Sequence, residues 1–163
     1  MRKIKKTFQK PRMPWDKERI KRENELIKVY GLTRKSEVWK AESIMRTFRR
    51  RARSLAAIGD KVQEKILLDK LNKMGLLSKD SSLDSVLSLT TENLLDRRLQ
   101  TIIFKKNLAN TPRQARQLIT HGHIAIEGRK VRYPSFIVPT GLESKISFYK
   151  ELAIKTPKLK ESE

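Results

Sequence analysis

"TPRQARQLITHGHIAIEGRKV", from Thr111 to Val131, opens as a helix and closes as a hairpin, and that pairing decides the fold. Thr111 can accept a hydrogen bond from the free N–H groups of a first helical turn. Pro112 takes the first helical position, where a missing N–H costs nothing. Ala115, Leu118 and Ile119 recur at helical spacing toward a core, and Gly122 ends the element. Arg113, Arg116, Gln117 and Thr120 fall at i, i+3, i+4 and i+7 on the other side, with no carboxylate among them. Guanidinium forks match phosphate oxygens two at a time. Short strands follow in "HIAI", "KV", "FIV" and "KISFY", and the hairpin should bring Arg129, Lys130 and Arg132 to a nearby surface.

Upstream, Thr91 can cap a helix whose Leu94, Leu95, Leu99, Ile102 and Ile103 face inward. The same periodicity places Arg97, Arg98, Lys105 and Lys106 outward, and "ANT" (Ala109–Thr111) makes the turn into the next helix. Residues 91–152 are therefore expected to form a small module of two helices followed by a short, mostly antiparallel sheet. One side of that module should be a basic platform.

Residues 1–90 read as a basic arm and a helical region. "MRKIKKTFQKPRMPW" has two prolines and no periodicity, so it is expected to be extended, with Trp15 anchoring its end. Asp16 caps a helix that carries Ile20, Ile27 and Tyr30 and stops at Gly31. From Ser36 to about Ile58, Val38, Ala41, Met45, Phe48, Ala52 and Leu55 make one apolar stripe. Arg46, Arg49, Arg50 and Arg53 make a second at i, i+3, i+4 and i+7, with no interleaved acids. Four like charges on one ridge repel each other in water, so the pattern fits a row of phosphate contacts better than a merely solvated face. A further helix, Lys61 to Met74, presents Val62, Ile66, Leu67 and Leu71. The Ser-rich Leu76–Thr90 looks like a weakly structured boundary, and residues 153–163 like a tail.

The chain has 163 residues, a formal charge of +20 and no cysteine. Residues 1–60 carry 19 Lys and Arg against 7 Asp and Glu, residues 61–95 carry 5 against 5, and residues 96–163 carry 14 against 6. Two basic regions flanking a neutral spacer suggest two binding surfaces for a polyanion. No apolar run approaches the roughly 18 residues of a membrane span. Without cysteine there are no disulfides, thiolate metal sites or cysteine nucleophiles. His121 and His123 straddle Gly122 but lack a carboxylate or thiol partner nearby, so phosphate bonding or base stacking suits them better than a metal. "GHIAIEGRK" is not a nucleotide-binding loop, because five residues separate its glycines and Arg follows. No catalytic constellation is visible, and no cofactor, metal or homo-oligomer is expected.

"LLDRRLQTIIFKKNLANTPRQARQLITHGHIAIEGRKVRYPSFIVP" closely resembles the small RNA-binding module typified by ribosomal protein four of the small subunit. "MPWDKERI" and "YGLTRKSEVWKAESIMRTFRRRARSL", in that order ahead of it, look like the archaeal and eukaryotic branch of the same family. The resemblance implies an α+β protein and a structural constituent of the cytoplasmic small ribosomal subunit. Such a protein binds small-subunit ribosomal RNA early in assembly, at a multi-helix junction of the 5′ domain. It would sit beside small-subunit ribosomal protein five, near the mRNA entry side. It further implies Arg97, Arg98, Arg113, Arg116, Gln117, His121, His123 and Arg129 as RNA-facing, to which the residue patterns add Lys130 and the Arg46, Arg49, Arg50 and Arg53 ridge. The zinc held by cysteines in many bacterial relatives has no ligands here. The short ending "KTPKLKESE" favours an archaeal-type protein over eukaryotic relatives with long charged tails. Non-ribosomal RNA-binding factors, in ribosome rescue or as RNA chaperones, use the same module but tend to place it first. RNA-modifying enzymes append it to a catalytic domain, and a DNA reader would need base-reading side chains and a dimer interface.

Overall fold

Aspartate caps decide where the first and third helices begin. A computed structural model describes residues 7–78 and 81–149; residues 1–6 of the arm, Lys79 and Asp80, and the expected tail lie outside the described residues. Asp16 accepts from the backbone N–H groups of Glu18 and Arg19 and opens α1 (Lys17–Tyr30), which Gly31 closes at φ 59°. α2 (Lys35–Ile58) starts without a side-chain cap from Arg34. Its third residue, Glu37, instead reaches back to the Thr33 hydroxyl at 3.0 Å. Asp60 caps α3 (Lys61–Lys73) through Val62 and Gln63.

The apolar stripe of α2 forms the spine of this region: Val38, Ala41, Met45, Phe48 and Ala52 are all buried. α1, α3 and a short α4 (Leu83–Ser88) each pack against it. Because Val86 of α4 is fully buried, the segment expected to be a weakly structured boundary contains a packed helix. Two expectations for α3 divide: Leu67 and Leu71 are buried, whereas Val62 and Ile66 are more than half exposed. Trp15 is 87% exposed and anchors nothing among the described residues. The arm is fastened elsewhere. Gln9 donates its backbone N–H to the Ser43 hydroxyl and accepts from Arg46 Nη1 at 2.8 Å, and the Phe8 ring lies 6.0 Å from that of Trp39.

The chain divides into two compact units, Met1–Leu95 and Asp96–Glu163. The helix expected to run on from Thr91 is two helices, α5 (Thr91–Asp96) and α6 (Leu99–Lys105). The break has a physical cause at Arg97 and Arg98. Arg98 adopts an extended conformation, φ −71° and ψ 143°, and bridges to Ile137. Val138 N–H donates to the Arg97 carbonyl at 3.0 Å and Leu99 N–H to that of Phe136 at 2.7 Å. Backbone bonds to the later segment replace the helical ones. The "FIV" strand expected there amounts to this single bridge.

In the second unit α6 packs on α7 (Pro112–Thr120). Thr111 caps α7, while Gln114 reaches back to the Asn110 N–H at 2.8 Å. β1 (Ile124–Ile126) pairs antiparallel with β2 (Arg129–Lys130) on one side and β3 (Ile146–Phe148) on the other. The two-residue turn between β1 and β2 uses Glu127 at φ 52° and Gly128 at φ 76°, the left-handed pair that matches strand twist. Leu99, Ile103, Ala115, Ile119, Ile124 and Val138 are fully buried between helices and sheet. The protein is thus α+β, mostly helical with one small antiparallel sheet.

Candidate nucleic-acid interface

Packing on one side of α7 determines what its other side offers. With Ala115, Leu118 and Ile119 turned into the core, Arg113 and Gln117 are exposed and Arg116 is half-buried. Arg116 leans on α6, its Nη1 donating to Gln100 Oε1 at 3.5 Å. Gln100 is itself only 1% exposed and donates Nε2 to the Pro112 carbonyl at 2.9 Å. It therefore ties α6 to the first turn of α7 and holds Arg116 in place. Nothing in the charge pattern marks Gln100; the only signal is a lone amide among Leu99, Ile102 and Ile103.

The end of α7 runs directly into the hairpin. Gly122 is left-handed at φ +74°, and a Cβ there would lie 3.0 Å from Cδ and Cε of Lys130 and 3.2 Å from Nε of Arg132. The His121 and His123 rings stack at 6.2 Å and 18°. Tyr149 N–H donates to the His123 carbonyl at 2.8 Å, and its ring lies 4.9 Å below Lys130 Nζ. Tyr149 is a second contributor that charge reasoning missed, holding a lysine by the negative face of its ring. Arg113, Gln117, His121, His123, Lys130 and Arg132 therefore follow one another along α7 and across its junction with β2, and Arg129 is exposed at the start of β2.

Ion pairing separates this strip from three other cations of the unit. Lys105 pairs with Asp96 at 3.1 Å, Lys145 with Glu127, and Arg97 with Glu143. Among the described residues Arg113, Arg129, Lys130 and Arg132 form no salt bridge. Lys145 holds the Glu127 carboxyl below its ordinary range, by hydrogen bond first and by charge second, with Arg129 adding to the effect. The one acid of the hairpin is thus matched by a lysine, and the strip's own charge stays open to a polyanion.

The outward orientation expected of two arginines is corrected. Arg97 and Arg98 do not face outward. The Arg97 side chain is 16% exposed and bonds the Val138 carbonyl at 2.9 Å as well as Glu143. Arg98 is 6% exposed. The break between α5 and α6 turns both side chains into the unit. On the first unit, Arg46, Arg50 and Arg53 are exposed along α2 while Arg49 is half-buried, its Nε without a hydrogen bond. Arg46 and Arg50, with Ser43, Thr47 and residues 7–9, line a cleft of about 290 Å³. Among the described residues no group of three His, Cys, Asp or Glu could hold a metal ion, and no helix is long and apolar enough to cross a membrane.

Residues 97–144 match the family described as the S4 domain. Over 152 residues the chain is 51% identical to small ribosomal subunit protein uS4 of Methanococcus aeolicus, a match covering 90% of this chain and 85% of that one. It is 53% identical over 152 residues to the protein of the same name from Sulfolobus acidocaldarius, covering 91% and 86%. The protein from Hyperthermus butylicus is 50% identical over 150 residues, covering 90% and 85%. A match of that length takes in the arginine ridge of α2 as well as the module that carries α7 and the hairpin, and the chain accordingly belongs to the family of small ribosomal subunit protein uS4.

Proposed function

We propose that this protein is a structural, non-enzymatic constituent of the small ribosomal subunit, binding its RNA through two basic surfaces. One is the strip of α7 and the hairpin: Arg113, Arg116, Gln117, His121, His123, Arg129, Lys130 and Arg132. The other is the α2 ridge of Arg46, Arg49, Arg50 and Arg53. The observation that carries the reading is that Arg113, Arg129, Lys130 and Arg132 form no salt bridge among the described residues, while Arg97, Lys105 and Lys145 of the same unit do. Folded RNA presents phosphates at fixed spacing, and a fixed row of guanidinium and ammonium groups recognises that spacing without reading bases. Arg97 and Arg98 serve the interface indirectly, by holding the start of α6 against the segment after Pro134.

The finer reading follows the family resemblance. The protein binds directly to a multi-helix junction of the 5′ domain, early in assembly, with small-subunit protein five and the mRNA entry side nearby. The two surfaces grip different RNA helices and so fix the angle between them. The test uses the full chain and a transcript of the 5′ domain. Arg113→Glu and Arg129→Glu, both at exposed positions, should each weaken binding by about tenfold or more, as expected when charge-assisted phosphate contacts become repulsive. Circular dichroism should be unchanged. If both variants bind as the parent does, the strip is not the contact surface. Loss of the protein from small subunits in a high-salt wash would argue against the ribosomal assignment itself.

A further inference from the structure

Among the described residues no large hydrophobic side chain is more open to solvent than Trp15, at 87%. Its ring makes no hydrogen bond or ring contact there. Scattered small apolar groups on a surface need no explanation, but an indole left in water keeps a large apolar area hydrated and points to something that covers it.

The chain that carries this ring is fixed on both sides. Arg19 Nη2 donates to the carbonyls of Met13 at 2.9 Å and Pro14 at 3.0 Å, and Arg19 is itself paired with the buried Glu23. Directly after Trp15, Asp16 caps α1. Further back, Gln9 is tied to Ser43 and Arg46 of α2. The arm that presents the indole is thus fastened to the arginine ridge at one end and to α1 at the other. A ring held in this way needs little further ordering when a partner meets it.

Charge indicates what that partner is. Lys10, Arg12 and Lys17 are exposed and form no salt bridge among the described residues. The acids close by in the chain are engaged. Asp16 accepts from the N–H groups of Glu18 and Arg19, Glu18 lies 3.7 Å from Arg22, and Glu23 is buried. A flat aromatic ring among open cations matches a nucleotide, whose base stacks while its phosphate pairs. An apolar pocket on a protein would instead have to strip water from those cations.

We infer that Trp15 stacks on an unpaired base of the bound RNA, a third point of contact beside the two basic surfaces. Every base has a face to stack on, so the contact adds hold without reading sequence. The inference rests on the RNA-binding reading above.

The test uses the full chain and the 5′-domain transcript. The chain has two tryptophans, Trp15 and Trp39, so subtracting the emission of a Trp15→Phe variant from that of the parent isolates the signal of Trp15. Adding the transcript should quench that signal. Trp15→Ala and Trp15→Leu should each weaken binding by about tenfold, and Trp15→Phe, still a flat ring, by clearly less. The slope of log affinity against log salt should match the parent's in all three, since no phosphate contact is removed. An unquenched Trp15 would assign the ring to a protein neighbour, and leucine that binds as the parent does would show a merely apolar contact; either overturns the inference. So would a shallower salt slope, because the loss would then come from the flanking cations. If Trp15→Ala binds as the parent does while Arg113→Glu and Arg129→Glu bind weakly, this inference alone falls. If none of these variants changes binding, the RNA-binding reading falls with it.

Discussion

Glu23 has almost no exposure to solvent, and it is held by the donors around it. Trp39 Nε1 donates to its Oε1 at 2.8 Å, Arg19 pairs with the same oxygen, and Lys35 stands near the other. Removing one partner of such a cluster costs more than the cluster itself contributes, because the others keep their desolvation penalty. Glu23→Ala should lower stability by about 3 kcal/mol, and Glu23→Gln, which still offers Trp39 an acceptor, by clearly less. Urea titration would separate them; equal losses would mean that the carboxylate's charge carries the whole contribution. Glu42 makes the opposite case. Burial first and Glu23 second raise its pKa above 4.5, and Arg46 and Arg19 offset this only in part. The folded state thus holds the Glu42 proton more readily than the unfolded chain. Its contribution is complete below pH 4.5 and is lost as pH rises through the folded-state value. Glu42→Gln should therefore melt higher than the parent at neutral pH, with the difference closing below 4.5. A difference independent of pH would show that the effect is not one of titration. Neither role could be read from residue order. Glu23 is one charge among many on a polar helix, and only packing against Trp39 sets it apart.

At the level of elements, caps and breaks determine where basic side chains are displayed. Gly122 and Gly59 both end helices at φ +74°, but only at Gly122 would an added methyl meet side chains, those of Lys130 and Arg132, within 4 Å. Alanine at either should cost about 1–2 kcal/mol of backbone strain. Gly122→Ala should in addition displace Lys130 and Arg132 and weaken RNA binding, while Gly59→Ala should leave RNA affinity within error of the parent. Equal RNA affinity for both variants would detach the hairpin cations from the interface. The same elements show how far periodicity reaches. α2 follows its apolar stripe closely because a helix of 24 residues repeats the signal over many turns. The run from Thr91 misleads because its spacing is helical on both sides of Arg97–Arg98, and the break is imposed by Ile137, thirty-nine residues after Arg98, across the unit. α4 hides in a Ser-rich stretch because a single buried valine, Val86, fixes it.

For the molecule as a whole the governing quantity is charge, +20 over 163 residues. If binding rests on roughly 6–10 phosphate contacts, affinity for the 5′-domain transcript should fall by about 10³–10⁵ between 50 and 200 mM salt. A nearly flat dependence, measured by filter binding across that range, would point to base reading or apolar contact instead. The order of residues alone determined the total charge and, because they depend on neighbours within a turn or two, the helix boundaries at Asp16 and Thr111, the apolar spine of α2 and the α7–hairpin motif. Tertiary structure decided which cations remain available. Arg97 is paired with Glu143, Arg98 is buried and Lys145 is paired with Glu127, whereas Arg113, Arg129, Lys130 and Arg132 find no such partner among the described residues. A charge's availability depends on what the fold brings within about 4 Å of it, and those partners come from elements far away in the chain.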